Sequence, residues 1–518
     1  MLKPLPVGTP TFFRDMIEGR YLYVDKTRDI YELVRYPKGV YFLSRPRRFG
    51  KTLLISTLQE IFEGHRELFE GLWIYDSDYG WEKHPVIRID FSLLKIATAE
   101  ELKRGLKRRL SHIAQLHRVE LAEGEYYEQF FDLIHQLATT NKVVVLIDEY
   151  DRPLIDNIED VEEARRIREV LRGFYTILKG TDEYLRFVFL TGVSKFSKVG
   201  VFSGLNNLDD ITMSPLFSTI LGITEEEVSG YFDGYLEDLA AQKDLSEEEL
   251  LQQMRYWYDG FCFAADCQTV YNPFSLLKLF KHRHFSNYWF ETGTPTFLVK
   301  LIESRNYSVK DIEDLRVREL SFSSYEIENL AVLPLLFQTG YLTIKGYNPK
   351  SMLYKLYYPN REVEDAFLKY LMDEFSEMEK GRPDAYLWSL AEALSERDFD
   401  AFFEVLQVLL ANIPYDIQIK REKYYQTIFY LIFKLVGLQI GAEVRTNRGR
   451  IDAVIETGEE VFIFEFKLDG SADDALAQIK ERGYEEKYGL RDDVYLIGVN
   501  FGTKERAVID WLVEERLA

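Results

Sequence analysis

The chain is poor in features that would tie it to a membrane or to an oxidising compartment. Its 518 residues include only 2 cysteines, Cys262 and Cys267. No matching Cys or His pair accompanies them to complete a metal site, so both are expected as reduced thiols. The longest apolar run, Ile428 to Phe433, is too short to cross a bilayer. The start, Met-Leu-Lys-Pro-Leu-Pro, lacks the apolar segment of a signal peptide. A cytoplasmic protein without membrane contact is the expectation. Internal repeats and low-complexity stretches are missing too, and no Gly/Ser linker marks a boundary. Positive charge is scarce: 64 Lys and Arg stand against 86 Asp and Glu, giving a net charge of −22. That argues against a nonspecific nucleic-acid coat, which needs a basic face. It does not exclude a phosphate site built around a metal ion. The densest basic runs, Lys103–Arg109 and Lys281–His284, read as solvated helix faces.

What is present is enough apolar material for several cores, with 46% hydrophobic and 15% aromatic residues. At this length two to four domains are expected. Towards the C-terminus two apolar strands carry polar groups. One is Gly449 to Ile455 with Asp452; the other is Val461 to Lys467 with Glu465 and Lys467. Two residues apart on a strand, Glu465 and Lys467 share one face. A carboxylate and an ammonium on a core strand are costly to bury, and a divalent metal with a phosphate nearby offsets that cost.

This spacing resembles the PD-(D/E)XK nuclease superfamily, with its Asp on one hairpin strand and Glu-x-Lys on the next. A helical stretch from Glu422 to Val436, an amphipathic helix from Ala472 to about Tyr488 with Gln478 and Tyr484, and a last strand, Val494–Val499, fit its α-β-β-β-α-β core. The resemblance implies that Asp452, Glu465 and the backbone carbonyl of Phe466 hold Mg²⁺. Lys467 would orient the attacking water or stabilise the phosphorane-like charge. Glu422 is implied as an upstream carboxylate aimed at the same metal, and Gln478 as a supporting or phosphate contact.

Near the other end, Val40 to Leu43 reads as a short strand, followed by Ser44-Arg-Pro-Arg-Arg-Phe-Gly-Lys-Thr and a helical pattern to Glu63. Strand, loop, Gly-Lys-Thr and helix is the layout of a P-loop, whose backbone N–H groups wrap phosphates at a helix N-terminus. Lys51 would reach the β/γ-phosphates and the Thr52 hydroxyl would bind Mg²⁺. Arg45 stands where a standard P-loop has its first glycine. Downstream, Lys142 to Ile147 is an apolar strand ending in Asp148-Glu149, similar to a Walker B: Asp148 for the magnesium shell, Glu149 to polarise the hydrolytic water. Val86–Phe91 and Arg186–Thr191 supply further strands for a parallel sheet. Thr191 lies where AAA-type ATPases place a sensor residue, and Lys195 and Lys198 follow as candidates for the γ-phosphate. The expected ATP contacts are Arg47, Arg48, Phe49, Gly50, Lys51, Thr52, Asp148 and Thr191.

From about Thr224 to Phe375 the pattern is mostly helical, with an N-cap at Thr224 and acidic residues behind it. Thr339–Lys345 and Met352–Pro359 alternate like a hairpin around Asn348-Pro-Lys. Helix plus hairpin suggests a winged-helix-like lid or packing module, and Tyr354, Tyr357 and Tyr358 leave DNA contact open. Tyr258-Asp-Gly-Phe and Tyr271-Asn-Pro-Phe-Ser read as structural turns.

Together, Tyr23-Val-Asp-Lys-Thr, Arg45-Pro-Arg-Arg-Phe-Gly-Lys-Thr, Leu146-Ile-Asp-Glu-Tyr-Asp, Tyr258-Asp-Gly-Phe and Tyr271-Asn-Pro-Phe-Ser resemble the prokaryotic AAA-ATPase-like family. Its members often carry a C-terminal PD-(D/E)XK nuclease domain, and arginines in place of P-loop glycines are that family's own pattern. Gln426 stands where many relatives have His. The resemblance implies an α/β fold: a P-loop NTPase parallel sheet over 1–220, a helical, winged-helix-like middle over 221–380, and a nuclease domain over 381–518. The implied function is an ATPase coupled to a magnesium-dependent nuclease, a hydrolase with ATP and nucleic acid, DNA first, as partners and a homo-oligomer as a possible assembly. The competing reading is a nucleotide-switched signalling or DNA-binding ATPase of a mobile element or defence system, with an inactive nuclease fold.

Overall fold

The computed structural model describes residues 2–8, 11–195, 202, 205, 207–265, 268–289, 298, 301–302, 312, 315–323, 331–376, 382–411, 421–440, 443–446, 452–457, 460–483, 488, 493–502 and 507–517. For 375–376, 421–426, 440, 443–446, 452 and 517 it describes the backbone alone. The chain divides into two compact units, Met1–Leu301 with Leu315–Glu362, and Ile302–Asp314 with Val363–Ala518.

The first unit is built on five strands: β1 (Gly39–Ser44), β2 (Val86–Asp90), β3 (Val143–Asp148), β4 (Leu185–Gly192) and β5 (Asp209–Asp210). They lie in the order β2-β3-β4-β1-β5, all pairs parallel. Parallel sheets are covered on both faces, which is why β3 reads Val-Val-Val-Leu-Ile-Asp and is buried at every position. Insertion of β4 between β1 and β3 sets Leu43 beside Thr191 and gathers the C-terminal ends of the strands at one edge, where α/β sheets bind ligands.

In the helical middle, Thr224 caps the Glu225–Tyr231 helix through a reciprocal box with Glu227. β6 (Phe261–Cys262) and β7 (Thr269–Val270) form a small ribbon. Asn272 then caps the Pro273–His282 helix, its Oδ1 accepting from the Phe274 and Ser275 amides. Gly260 lies at φ 98°, in the left-handed region. β8 (Leu315–Val317), before the Val332–Gln338 helix, joins β9 (Thr343–Asn348) and β10 (Leu353–Tyr357), after it, in a sheet ordered β8-β10-β9. Asn348 Oδ1 ties its turn by accepting from Lys350 and Ser351. The aromatic residues here face inward: Tyr354 and Tyr358 are buried, and the Tyr354 ring packs on Phe322 and Tyr347. Packing accounts for Tyr354 and Tyr358, while Tyr357 is half-buried.

The second unit carries an antiparallel-parallel mixed sheet of β11 (Glu443–Thr446), β12 (Asp452–Glu456), β13 (Glu460–Leu468), β14 (Asp493–Gly502) and β15 (Ala507–Leu517) in chain order. Only β13 and β14 run parallel, and the Ala472–Glu481 helix crosses between them. The even residues of β13 meet one helical layer: Phe462 touches Phe399, Phe464 touches Phe402 and Phe433, and Phe466 touches Phe429 and Phe433. The odd residues Val461 and Ile463 pack with Leu476 and Ile479 of the crossing helix. Two expectations are corrected. Val494–Val499 is not the last strand, because β15 adds an outer strand whose charged, mostly exposed C-terminal half hides its periodicity. The crossing helix ends at Glu481, just before Gly483 at φ 59°.

Candidate active sites

The loop after β1 meets the Lys51–Phe62 helix at Gly50, whose φ of 92° is left-handed and which brings no side-chain cap. Thr98, Asp160, Thr224 and Ser246 cap their helices with side-chain oxygens. At the Lys51 helix no side chain does so, and its N-terminal amides suit an anion. Lys51 is buried, and its Nζ donates to the carbonyls of Arg45 (3.0 Å) and Pro46 (2.9 Å). Burial pulls its ammonium below the usual lysine range, and Asp148 and Glu149 act against that pull.

Arg45 is only 1% exposed. It donates to the carbonyls of Ser44 (2.9 Å), Thr212 (2.8 Å) and Phe217 (3.0 Å), and its Cζ lies 4.1 Å from the Phe263 ring centroid. Burial lowers its guanidinium to about 9. The residue in place of the first P-loop glycine therefore braces the loop from behind. Phe49 is held between Phe261 and Phe263, and the Trp289 indole N–H donates to the Arg47 carbonyl at 3.1 Å. A Cβ on Gly340 would meet Pro46 Cγ at 2.7 Å. The loop's glycine-poor sequence is thus matched by packing from residues far along the chain.

In front of the loop lies a cavity of about 510 Å³, within the size range of ligand pockets, about 300–1,000 Å³. Arg47, Arg48, Phe49, Gly50, Lys51, Thr52 and Glu149 line its polar end; Met16, Leu22, Ile30, Leu54, Ile223 and Leu277 are among the apolar walls. The Tyr23–Thr27 motif secures the wall. Lys26 Nζ donates to the Thr219 carbonyl and to Glu227, Asp25 accepts from the Thr27 and Trp73 amides, and Thr27 Oγ1 accepts from Ile74.

Asp148 closes β3 and is 1% exposed. Burial pushes its carboxyl up, with the Thr52 hydroxyl acting in the opposite direction. Its Oδ1 accepts from the Glu149 amide at 3.1 Å, while the buried Oδ2 accepts no hydrogen bond. Glu149 has a left-handed φ of 50°, is pushed up by burial, and lies 3.7 Å from Arg152. Thr191 is not brought to the cavity: it is buried, and its Oγ1 donates to the Leu43 carbonyl at 2.9 Å. Lys195 pairs with Asp210, and Lys198 lies outside the described residues. Sequence reasoning missed Asp151. It accepts from the Val193 amide (3.0 Å) and from the Ser194 amide and hydroxyl (2.6 Å each), locking the end of β4 to the turn after β3. The one available sign was a second acid two residues after Glu149.

In the second unit, antiparallel pairing sets Asp452 directly opposite Glu465 in the backbone register. Glu465 is 1% exposed. The Gln478 amide bridges the pair on β13, its Nε2 donating to Glu465 Oε1 and its Oε1 accepting from Lys467 Nζ. Glycine at 498, the register partner of Glu465, allows this. A Cβ there would collide with the Ala472 carbonyl and meet Leu476 N at 2.8 Å, so only glycine lets the helix bearing Gln478 lie this close. Asn500, the register partner of Lys467, accepts from the Gly470 amide at 3.0 Å, and a Cβ on Gly470 would meet Lys467 Cβ at 3.0 Å. Gly498 and Asn500 escaped sequence reasoning because parallel register cannot be read from a single strand. Phe466 is buried between Phe429 and Phe433. Glu422 lies on the Arg421–Ile440 helix; its side chain, those of Asp452 and Gln426, and all of Tyr484 fall outside the described residues.

The basic runs are engaged within the fold. Lys103 pairs with Glu100 and Lys107 with Glu125, while Arg109 donates to the Arg88 carbonyl. Lys281 donates to the Val7 carbonyl and Arg283 to Gln242.

A P-loop-type parallel sheet and a strand pair bearing Asp and Glu-x-Lys define a class, a P-loop-fold unit with a nuclease-fold unit in one chain. Residues 6–202 match the family described as predicted AAA-ATPase, and residues 420–511 match the PD-(D/E)XK nuclease superfamily. A protein of Azotobacter chroococcum mcd 1, described as an uncharacterized protein in the vnfD 5' region, is 39% identical over 533 residues, covering 99% of each chain. No solved structure matches. The chain belongs to the same family as that protein, the predicted AAA-ATPases with a C-terminal PD-(D/E)XK nuclease domain. Among the described residues, no helix is long and apolar enough to cross a membrane.

Proposed function

We propose that this protein is an ATP-controlled, magnesium-dependent nuclease: residues 1–220 bind and hydrolyse ATP, 221–380 respond to the nucleotide, and 381–518 cleave phosphodiester bonds, in DNA first. The observation that carries the reading is the Glu465–Gln478–Lys467 bridge on the strand opposite Asp452. A buried acid and a half-buried ammonium aligned through one amide are costly for a fold used only for packing.

The donors suit a hard dication. Asp148 Oδ2 is buried without a hydrogen-bond partner, Glu465 is almost fully enclosed, and magnesium takes oxygen ligands. Asp148 and Thr52 would hold it at the nucleotide site. Asp452, Glu465, the Phe466 carbonyl and Glu422 would hold it at the second. When bound, it supplies Lewis-acid polarisation of a phosphoryl oxygen. Lys51 binds the β/γ-phosphates, and Glu149 accepts a proton from the hydrolytic water. At the second site Lys467 offsets charge developing on the scissile phosphate, and Gln478 holds Lys467 in line with Glu465.

Cleavage of DNA and RNA with Mg²⁺ and with EDTA tests the reading. Wild type should cut only with metal, and Asp452→Ala and Lys467→Ala should each be slower by about 10²-fold or more. Metal-dependent cutting untouched by either change removes the assignments. No cutting of either nucleic acid by wild type favours the nucleotide-switched protein with an inactive nuclease fold.

A further inference from the structure

Two non-glycine residues lining the cavity, Glu149 and Arg48, hold a left-handed backbone, and Arg48 is the basic one. Its φ of 68° lies in the left-handed region, which glycine enters freely and other residues resist because Cβ crowds the following carbonyl. Glycine would relax the loop here, so a side chain kept at this position points to a use for that side chain. Arg48 lines the same cavity as Lys51, Thr52 and Glu149. Its Cζ lies 5.0 Å from the centroid of the Phe274 ring, and Lys278 Nζ lies 5.5 Å from the same centroid. A cation–ring contact is weaker than a charge-assisted bond to phosphate, so a polyanion draws Arg48 away from Phe274. Arg45, in contrast, is consumed by backbone carbonyls.

We propose that Arg48 is a phosphate-contacting arginine supplied in cis. It leaves Phe274 when a nucleoside triphosphate enters and meets the terminal phosphates, so that no arginine from a neighbouring subunit is required. The inference rests on the nucleotide reading above. In hydrolysis the water oxygen bonds to the γ-phosphorus and its proton passes to Glu149. The bond to the β–γ bridging oxygen breaks, and that oxygen leaves on the diphosphate with the electron pair. Arg48 meets the charge growing there and on the γ-oxygens.

The experiment measures ATP hydrolysis, binding of a fluorescent ATP analogue and thermal unfolding for full-length wild type, Arg48→Gly and Arg48→Lys. Wild type is assayed across a wide range of protein concentration. Arg48→Gly should unfold at the same temperature or higher, still bind the analogue, and turn over about 10³-fold more slowly. Arg48→Lys should fold as wild type and lose kcat with little change in KM, and it decides the matter should the glycine variant fold poorly. Wild-type specific activity should not fall on dilution. Wild-type turnover in both variants, or specific activity that falls with dilution, overturns the proposal while leaving the nucleotide reading intact. A wild type that neither binds nor hydrolyses ATP overturns both.

Discussion

The loop after β1 in the first unit and the charged row on β13 of the second both keep charge inside an apolar fold, by opposite means. The loop is stabilised from a distance. Arg45 reaches carbonyls at Thr212 and Phe217, Phe49 fits between Phe261 and Phe263, and Trp289 holds the Arg47 carbonyl. The β13 row is compensated locally, by one glutamine eleven positions after Lys467 on a helix admitted by Gly498. Damage to the first site should therefore spread through its unit, whereas damage to the second should be felt in chemistry before stability.

Arg45→Met is the sharpest way to break the comparison. Buried carbonyls lose their donor, each orphaned group costing about 1–3 kcal/mol, and the first unit should lose about 3–5 kcal/mol in denaturant unfolding. A loss below 1 kcal/mol would mean the loop does not depend on that brace. Next is Gly498→Val, where overpacking should cost about 1–3 kcal/mol and displace Gln478, so that cleavage falls together with the melting temperature of the second unit. Unchanged cleavage would separate helix position from chemistry. Gln478→Leu should leave unfolding nearly as in wild type while cleavage drops by about 10- to 100-fold, the usual effect of removing a group that supports a metal site from behind.

The smallest effect concerns pH. Burial raises the Asp148 carboxyl, so its ionisation opposes folding of the nucleotide-free chain. Stability from the protonated form is complete below the ordinary aspartate value of 3.8 and is lost as pH rises through the raised folded value. Asp148→Asn should match wild type below that window and exceed it in stability above. Urea titrations at a series of pH values check this, and a difference that shrinks as pH rises contradicts it.

Much of the molecule was legible from the sequence because its signals are local. The unbroken apolar run of β3, the Gly-Lys-Thr turn, the N-cap at Thr224 and the Glu-x-Lys spacing all lie within a few residues. The α/β class, with a parallel sheet near one end and a nuclease-type sheet near the other, followed from them. What stayed hidden depends on partners far along the chain. Arg45 reads only as an arginine in the place of a P-loop glycine until Thr212, 167 positions away, is seen to accept from it. That the Thr191 hydroxyl is bonded to Leu43 is invisible until β4 is found beside β1. Asp151, Gly498 and Asn500 act across strands whose register no single segment records. The β15 strand was missed because an outer strand with few buried positions carries little alternation.

The most direct test of the account is nucleic-acid cleavage in Mg²⁺ with and without ATP, in wild type and Lys51→Ala. Cleavage by wild type should change on adding ATP, and cleavage by Lys51→Ala should not respond. Equal rates with and without ATP in wild type would contradict nucleotide control of the cutting unit.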